Sequence, residues 1–542
     1  MATVARTPGG ASPFEERAVF VRKATGLVRG WSVRDAFIYA TFAINLVTLG
    51  WYIFASAPST VANGNLLWAV IVGGVFLIFQ AITYASLIAA MPRAGGDYVW
   101  MSRVLGGGIG FVLAVAGWWF ILWHWVPIYA NILQIQVLEP LSAIVGWHGG
   151  VTFWGTNDGV FAASVITALL ASLFIALGIR TYARIQKVCF YGGMVGLAVM
   201  AILLLVNSKT GFIHHFNSQA HKLYGTSGNA YAATAAAGSK GYTPPHIGTI
   251  DVGGIILLLP LLFFFNLWSN WGATLYGEVR GASDFRKNIY AMGGALLFTT
   301  ALAVIFFLLF AKTFGWGWYQ EANFAYSGGP LGTVPYPGTF ASFLLGSRVL
   351  QFIFIGLLSL WFVGWVGSVF LSSTRVIFAT AFDRILPEWA AKVSSNGVPY
   401  WALALMLLPS IPISALYAYS TKFASYTLDA TLVIAITFFG TTVAAGILPW
   451  RKPEIYNASP IAKYKVLGIP IITFAASCFA VILGYALVKW FSDDRYLVNK
   501  SSSLYYMGGL YVLAIVIYVV SRVVRSRQGM DLKMVYGEIP AE

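Results

Sequence analysis

The most regular feature of the sequence is a series of long apolar runs separated by polar connections. A hydrocarbon core about 30 Å thick is crossed by roughly 20 residues of α-helix, and the runs have about this length. The pattern predicts an all-α integral membrane protein with about twelve transmembrane helices. The predicted spans cover residues 35–57, 66–90, 108–138, 158–178, 187–207, 252–277, 289–313, 341–381, 400–420, 425–448, 469–491 and 504–521.

The composition excludes an ordinary soluble domain. Of 542 residues, 58% are hydrophobic and only 10% are charged, whereas soluble chains carry about 25% charged residues. The two cysteines, Cys189 and Cys478, lie inside apolar runs far apart in the sequence. They are interpreted as buried thiols, and no disulfide framework is predicted.

The net charge of +15 is interpreted as a sign of how the chain is oriented in the membrane, not of nucleic-acid binding. Most of the 34 lysines and arginines fall in the terminal segments and in the connections on the same side of the membrane. The positive-inside rule therefore predicts that both termini are cytoplasmic. Because residues 1–34 lack a cleavage site, they are interpreted as a tail and not as a signal peptide. Residues 522–542 form the second tail, and residues 208–250 an extracellular loop.

Three of the predicted cytoplasmic connections carry distinctive sequences. They read Pro92-Arg93-Ala94-Gly95-Gly96-Asp97-Tyr98, then Gly277-Glu278-Val279-Arg280, then Ser373-Thr374-Arg375 with Asp383 and Pro387 further on. Paired glycines beside a proline permit a tight, non-helical turn. Charged residues recur at helix ends on the predicted cytoplasmic side. One hypothesis is that they form a charge network that closes an inner gate, and the alternative is that they are solvated loop charges. The gate candidates are Arg93, Glu278, Arg375 and Asp383.

These motifs and the twelve spans resemble the amino acid/polyamine/organocation superfamily, amino acid permease type, in which Pro-Arg-Ala-Gly-Gly-x-Tyr follows the second span. The chain departs from the family after the sixth span, where Gly281-Ala282-Ser283-Asp284 replaces Asn-Pro. The resemblance implies a secondary active transporter working by alternating access. It also implies a LeuT-like fold of two inverted five-helix repeats, at residues 35–207 and 251–448, with two additional helices at 449–521.

In this family, spans one and six are broken near the bilayer centre, where irregular backbone must line a cavity. The first span lacks the family's glycine-rich break, but Asn45 and Thr48 share a helix face there. They are candidates to replace part of the break and to bind the substrate. The sixth span holds a polar cluster that is costly in a membrane unless it faces protein or water. Its candidate substrate-binding residues are Asn266, Trp268, Ser269 and Asn270, and helix packing is the alternative role.

The third span adds further candidate substrate-binding residues. On a 3.6-residue period His124 and Asn131 fall in one polar stripe with Gln134, and Trp123 lies beside it. His124 is also a candidate for proton coupling, with a structural hydrogen bond as the alternative. An intramembrane carboxylate is a functional hypothesis by default, so Asp429 in the tenth span is the second coupling candidate. The family's sodium and proton signatures are both incomplete here, which leaves H+ and Na+ open.

The candidate site residues are aromatic and amide side chains with few charges. They favour a neutral or aromatic amino acid as substrate, with a polyamine or another organic solute as the alternative. A membrane-embedded enzyme is not indicated, because hydrolase and nucleotide-binding motifs are lacking.

Other functional groups and partners are not indicated either. His214, His215 and His221 have no cysteine or carboxylate at ligand spacing, so neither a metal site nor a cofactor is predicted. Some relatives pair with a glycoprotein through a cysteine in an outer loop, and residues 139–157 contain none. No obligate protein partner is therefore expected, and the plasma membrane is the expected location.

Overall fold

The computed structural model describes residues 30–395 and 397–536. Most of the predicted tail 1–34 and the last six residues of the tail 522–542 lie outside these ranges. Within them, twelve segments are long and apolar enough to cross a membrane, and the fold is all-α, as predicted. Spans 1 to 12 cover Val33–Phe54, Leu66–Ala90, Gly107–Val145, Asn157–Ala176, Ile179–Val206, Val252–Glu278, Phe285–Gly328, Arg348–Phe382, Tyr400–Tyr419, Thr427–Arg451, Ile471–Ser492 and Ser501–Arg527.

Several spans consist of more than one helical piece. Span 1 comprises the helices Val33–Ile44 and Trp51–Phe54 with a π turn at Leu46–Gly50 between them, and span 2 comprises Leu66–Phe76 and Ile78–Ala90. Span 6 comprises Val252–Asn266 and the 3-10 helix Trp271–Glu278, and span 8 comprises Arg348–Val366 and Ser368–Phe382. Span 3 contains Gly107–Val115, Ala116–Phe120, Leu122–Leu133, Gln134–Leu138 and Glu139–Val145, and span 7 contains Phe285–Phe310, Ala311–Gly315, Trp316–Ala325 and Tyr326–Gly328. The three spans in which substrate binding was predicted, 1, 3 and 6, are all interrupted, and so are spans 2, 7 and 8.

Shorter elements lie in the connections. They are the helices Asp97–Val104, His148–Trp154, Lys209–Tyr224, Ala230–Gly238, Pro337–Ser342, Pro453–Ala458 and Leu532–Val535, 3-10 turns at Glu388–Ala391, Pro460–Lys463 and Asp494–Tyr496, and the helical turn Thr421–Ala424. The strands Lys465–Val466 and Ile469–Pro470 form one small antiparallel pair. Residues 208–250, expected as a loop, are thus largely helical, and the three histidines lie on the helix Lys209–Tyr224. Across the described ranges, no three His, Cys, Asp or Glu side chains group as a metal site requires.

Side chains at the helix starts explain where two central spans begin. Ser32 and Asp35 form a reciprocal capping box at the start of span 1, and the Asp251 carboxylate accepts from the Gly254 amide at the start of span 6, at 3.2 Å. Both arrangements satisfy backbone amides that an α-helix leaves without partners.

The centre of the bundle is formed by spans 1, 3 and 6. In their most apolar windows 89%, 78% and 78% of positions are buried, against 11% in span 12. Span 1 packs along span 7, span 5 along span 8, span 4 along span 9, and span 10 along span 11. Irregular backbone in spans 1 and 6 therefore lies inside protein, where its polar groups have side-chain partners.

Candidate functional site

Span 1 is broken at Asn45. This residue has φ 44° in the left-handed region, which asparagine tolerates better than most side chains. Its Oδ1 accepts from the Thr48 amide at 3.2 Å, and its Nδ2 donates to the Trp361 carbonyl of span 8 at 3.0 Å. One asparagine thus ends the first helix, caps the next turn and ties the break to span 8, without the family's glycines.

The turn that follows the break is held by span 3. The Thr48 carbonyl accepts from Gln136 Nε2 at 2.9 Å. Gln136 lies within the π turn Gln134–Leu138, which alters the helical phase. Gln134, which the sequence placed on the polar stripe, instead donates to the Trp154 carbonyl. The Thr48 hydroxyl has no hydrogen-bond partner among the described residues and is buried.

Span 6 is broken over residues 267–270 and depends on span 2 for its missing hydrogen bonds. Gln80 Nε2 donates to the Leu267 carbonyl at 2.8 Å and to Asn270 Oδ1 at 3.1 Å. The Ser269 hydroxyl donates to Gln80 Oε1 at 3.3 Å. A single buried glutamine therefore holds the turn, and it escaped the sequence analysis because one glutamine in an apolar run carries no distinguishing pattern.

The break in span 6 keeps unused hydrogen-bonding capacity. Both amide atoms of Asn266 and Nδ2 of Asn270 have no partner among the described residues, although both side chains are fully buried. The Asn266 amide lies against Gly73 of span 2, where a Cβ would come within 2.8 Å of Nδ2. Buried polar atoms are normally paired, so these are the atoms of the region that call for an explanation.

An aromatic wall lies between spans 3, 6 and 8. The Tyr129 and Trp365 rings stack with centroids 3.4 Å apart. The wall consists of Trp125 and Tyr129 in span 3, Phe264, Trp268 and Trp271 in span 6, and Trp365 in span 8. None of these side chains carries a formal charge.

Hydroxyl groups of spans 1 and 8 fix the aromatic wall. Trp271 Nε1 donates to the Ser368 carbonyl at 3.1 Å, and the Ser372 hydroxyl donates to the Trp271 carbonyl at 3.0 Å. The Tyr39 hydroxyl lies 3.1 Å from Ser372 Oγ. The half of span 6 that begins at Trp271, here called the inner half because the predicted topology places it toward the cytoplasm, is therefore connected to both spans 1 and 8.

The remaining candidates of span 3 face other neighbours. Trp123 Nε1 donates to the Leu405 carbonyl of span 9 at 3.0 Å. His124 lies 3.2 Å from the Tyr506 hydroxyl of span 12 and stacks on Phe423 with centroids 4.7 Å apart. Only Asn131 reaches span 1, through the Tyr52 hydroxyl at 3.2 Å. The predicted stripe is thus divided among spans 1, 9 and 12.

Asp429 lies with His124 on the side of span 12. It is buried at the start of span 10, and it faces Ser503 and Tyr506 of span 12. The two coupling candidates are therefore neighbours of one helix, away from the breaks of spans 1 and 6.

A family model described as amino acid permease matches residues 36–518. The chain belongs to the amino acid permease family. It is a multi-pass membrane protein that transports amino acids, and it is not an enzyme.

Three relatives illustrate the range of the family. A branched-chain amino acid permease of Lactococcus lactis subsp. cremoris (strain MG1363) is 22% identical over 470 residues, which cover 84% of this chain and 85% of the relative. Large neutral amino acids transporter small subunit 2 of Rattus norvegicus is 24% identical, covering 80% of this chain and 72% of the relative. An aspartate-proton symporter of Bacillus subtilis (strain 168) is 22% identical over 191 residues, 35% of this chain and 34% of the relative.

The end of the permease that carries the three motifs, here called the charged end, holds two buried bidentate ion pairs. Arg375 Nε lies 2.7 Å from Glu278 Oε1, and both side chains are 1% exposed. Arg103 Nη1 lies 2.6 Å from Asp383 Oδ2 with equally little exposure. Three of the predicted gate residues are thus in ion pairs, and Arg103 supplies the fourth partner. Arg93, expected in this role, directs Nη1 to the Pro92 carbonyl.

The paired glycines of the permease bring the first motif against spans 6 and 8. Gly95 and Gly96 have φ 93° and 39°. A Cβ on Gly95 would lie 2.5 Å from Ala379 Cβ, and one on Gly96 2.9 Å from the Ala273 backbone. The Gly95 amide donates to the Thr274 carbonyl at 2.8 Å. A larger residue at either position would separate the motif from both spans.

The last span of the permease braces the connection that follows span 8. Arg525 Nε donates to the Arg384 carbonyl at 2.7 Å and Nη2 donates to the Leu386 carbonyl at 3.2 Å. The Ser521 hydroxyl donates to the Ile385 carbonyl. These bonds hold the backbone directly after Asp383.

Proposed function

We propose that the permease carries a neutral amino acid with an apolar or aromatic side chain by alternating access. The observation that carries the proposal is the aromatic wall, which offers rings and no charged group to a substrate side chain. Aromatic side chains contribute large apolar contact area with defined ring geometry. A polyamine or a cationic amino acid would call for a carboxylate-lined or cation–π pocket, and no carboxylate belongs to the wall. The names of two relatives, a branched-chain amino acid permease and a large neutral amino acids transporter small subunit, support this choice.

The two breaks are proposed to bind the substrate's ammonium and carboxylate ends. Asn45 and Thr48 form the break of span 1, and Ser269 and Asn270 belong to the break of span 6. Polar groups freed by a broken helix at mid-membrane depth are suited to the charged ends of an amino acid. The unpartnered atoms of Thr48 and Asn270 support this assignment.

Proton coupling is proposed over sodium coupling. Carbonyl oxygens of span 8 that could ligate a cation already accept hydrogen bonds. The Gly364 carbonyl accepts from the Tyr182 hydroxyl and from Gln186 Nε2, each at 2.9 Å, and the Trp361 carbonyl accepts from Asn45. A sodium ion there would have to displace these donors. The name of the aspartate-proton symporter also favours protons, and His124 and Asp429 stay coupling candidates.

The charged end is proposed to be the cytoplasmic gate, in a plasma-membrane protein with both termini in the cytoplasm and no obligate partner subunit. The distribution of lysine and arginine supports this orientation, and the lack of cysteine in residues 139–157 supports the absence of a tethered partner. Opening this end would require the Glu278–Arg375 and Arg103–Asp383 pairs to separate.

Arg375→Ala tests the gate. Removing one partner of a buried ion pair costs about 3–5 kcal/mol, because the other charge stays buried. The matched control is Lys287→Ala. Lys287 is 54% exposed and its ion-pair partner Asp284 is 42% exposed. Exposed ion pairs of this kind contribute about 0–1 kcal/mol to stability. Thermal unfolding in detergent should show a much larger loss for Arg375→Ala, and equal losses would contradict the assignment of a closed gate held by this pair.

Uptake into proteoliposomes tests the substrate. Vesicles receive leucine, phenylalanine, lysine and spermidine under an imposed proton or sodium gradient. We expect leucine and phenylalanine to accumulate with the proton gradient, and preferential uptake of spermidine would overturn the proposal. Trp268→Ala should weaken uptake, whereas Trp401→Ala, which alters a 44% exposed tryptophan of span 9, should leave it unchanged.

A further inference from the structure

The charged end contains a third buried carboxylate, Asp97, at the start of the helix Asp97–Val104. Its side chain is fully buried. Oδ1 accepts from the Tyr84 hydroxyl of span 2 and the Thr441 hydroxyl of span 10, each at 2.6 Å. Oδ2 accepts from Trp118 Nε1 of span 3 at 3.0 Å. Three spans therefore converge on one acid.

Asp97 differs from Glu278 and Asp383, the two carboxylates of the buried ion pairs, in having no cation. No lysine or arginine of the described ranges forms an ion pair with it. Glu278 and Asp383, by contrast, each have a bidentate arginine. An isolated charge is far more costly to bury than a paired one, so the ionised form of Asp97 depends on its three hydrogen bonds.

Charged and titratable groups lie on several of the elements that surround Asp97. Span 2 contributes Tyr84, and spans 3 and 10 face Asp97 with Trp118 and Thr441. Span 6 packs against the glycine turn at Ala273 and carries Tyr276 and Glu278, while span 8 packs there at Ala379 and carries Arg375 and Asp383. The element that contains Asp97 carries Tyr98, whose hydroxyl donates to Asp383 at 2.7 Å, and Arg103. Arg93 precedes the turn and contacts the Pro92 carbonyl. Glu278 with Arg375 and Arg103 with Asp383 thus form two internally neutral ion pairs on the elements around Asp97.

The hydrogen-bond partners fit both protonation states. A hydroxyl rotates and serves as donor or acceptor, whereas an indole only donates. With the carboxylate ionised, all three partners donate. With a proton on Oδ1, the new O–H bond points to the Tyr84 or Thr441 oxygen, and Trp118 still donates to Oδ2. The hydroxyl that accepts this bond must turn its own hydrogen to another acceptor, and the Tyr84 and Thr441 hydroxyls lie close enough for one to serve the other. The site can therefore change its charge by one unit through rotation of its hydroxyls.

Burial raises the pKa of Asp97 to about 6 from the usual 3.8, and the three donors limit the rise. The pKa of Asp97 is higher in the folded protein than in the unfolded chain. At a pH between these two pKa values, the folded protein therefore binds more protons than the unfolded chain does. The free energy of unfolding contributed by this group therefore falls as the pH rises through that window. Opening the charged end to water would remove the burial and lower the proton affinity.

Asp97 is also connected to the aromatic wall. The Trp118 ring that donates to it lies 4.8 Å from the Trp271 ring, centroid to centroid. Trp271 begins the inner half of span 6, and the glycine turn before Asp97 contacts the same half. Movement of this half-helix would alter the donors and the burial of Asp97 together.

We propose that Asp97 is a proton-binding site with a higher proton affinity while the charged end is closed, so that opening of that end favours release of its proton to the cytoplasm. The inference rests on the proposed gating of the charged end, and it adds a site beyond His124 and Asp429. The proton leaves Oδ1 for water, and the carboxylate keeps its three donors.

Infrared titration of the purified permease tests the site without any substrate. Protonated carboxyl groups have a distinct C=O stretch, and we expect one such band to titrate near pH 6. Asp97→Asn should remove that band, and the matched control Asp284→Asn should retain it, because Asp284 lies on the exposed surface of the same end. An unchanged titration in Asp97→Asn would overturn the proposal.

Thr441→Val provides a second variant that retains Asp97. Loss of one donor to the carboxylate disfavours the charged form, so the midpoint should move up by about one pH unit or more. An unmoved midpoint would overturn the assignment of the band to this site.

Efflux from proteoliposomes tests the link to gating. Varying the pH on the side of the charged end should change the wild-type leucine efflux rate, with one component whose midpoint lies near 6, and Asp97→Asn should remove that component. Retention of the component with the midpoint near 6 in Asp97→Asn would overturn the gating role. Failure of the wild type to carry any neutral amino acid would refute the proposed substrate instead, while the infrared result would still decide the proton site.

Discussion

The breaks of spans 1 and 6 solve the same problem in different ways. In span 1 one residue, Asn45, supplies the left-handed backbone, the cap and the tie to span 8. In span 6 the turn extends over residues 267–270 and is held from outside by Gln80. The first break leaves one side-chain atom unpartnered among the described residues, the Thr48 hydroxyl, whereas the second leaves both amide atoms of Asn266 and one of Asn270.

This difference leaves the break of span 6 with more unused side-chain hydrogen-bonding capacity than the break of span 1. Asn45 has both polar side-chain atoms committed, so a ligand would have to displace existing bonds. Asn270 retains a free donor next to the aromatic wall. We therefore expect span 1 to determine stability more than span 6, and span 6 to contribute more direct polar contacts to a substrate.

Asn45→Ala should have the largest effect. Alanine in the left-handed region costs about 1–2 kcal/mol, and two lost hydrogen bonds add about 1 kcal/mol each. Uptake should be abolished and the melting temperature in detergent clearly lowered. Asn45→Gly is the control, because glycine restores the backbone freedom without the amide. If Ala and Gly variants melt alike, the left-handed backbone is not what Asn45 provides.

Asn270→Ala should abolish uptake at a smaller cost in stability. Only the bond from Gln80 is lost, which corresponds to about 1 kcal/mol. Asn288→Ala is a matched control, since this buried asparagine of span 7 makes one bond, to the Ala282 carbonyl at 2.7 Å, away from the breaks. Both variants should melt similarly while only Asn288→Ala transports. Unchanged uptake in both Asn45→Ala and Asn270→Ala would remove the binding-site assignment.

Thr48→Val should have the smallest effect on stability, within about 0.5 kcal/mol, because its hydroxyl makes no bond that would be lost. The substitution keeps the shape of the side chain. A raised KM for leucine uptake with an unchanged melting temperature would identify the hydroxyl as a substrate contact, and an unchanged KM would argue that Thr48 only shapes the turn.

The sequence was sufficient for features set by length and local composition. Apolar runs of about 20 residues predicted the twelve spans, and the motif after span 8 located Arg375 and Asp383. The left-handed backbone that breaks span 1 at Asn45 was harder to predict from the sequence, because the neighbours of this asparagine form no distinguishing pattern. The polar stripe of span 3 failed to predict one common site, since residues on the same helix face meet different spans at different depths.

Partners across the fold were the least predictable part. Arg93 and Arg103 are both basic residues of one connection, and only the packing of the glycine turn selects Arg103 for Asp383. Asp97 occupies the variable position of the first motif, where its sequence neighbours suggest an exposed loop. Its burial arises from Tyr84, Trp118 and Thr441, which are separated from it by 13, 21 and 344 residues.

The brace formed by Ser521 and Arg525 has a consequence for how the protein is made. Ser521 and Arg525 follow their partners in that connection by 136 to 141 residues, so the ribosome synthesises them after the connection that carries Asp383. The backbone at residues 384–386 therefore acquires its three hydrogen bonds only after span 12 has been synthesised. Assembly of the closed charged end is a late event of biogenesis, and a nascent chain that stops before span 12 holds Asp383 on an unbraced connection.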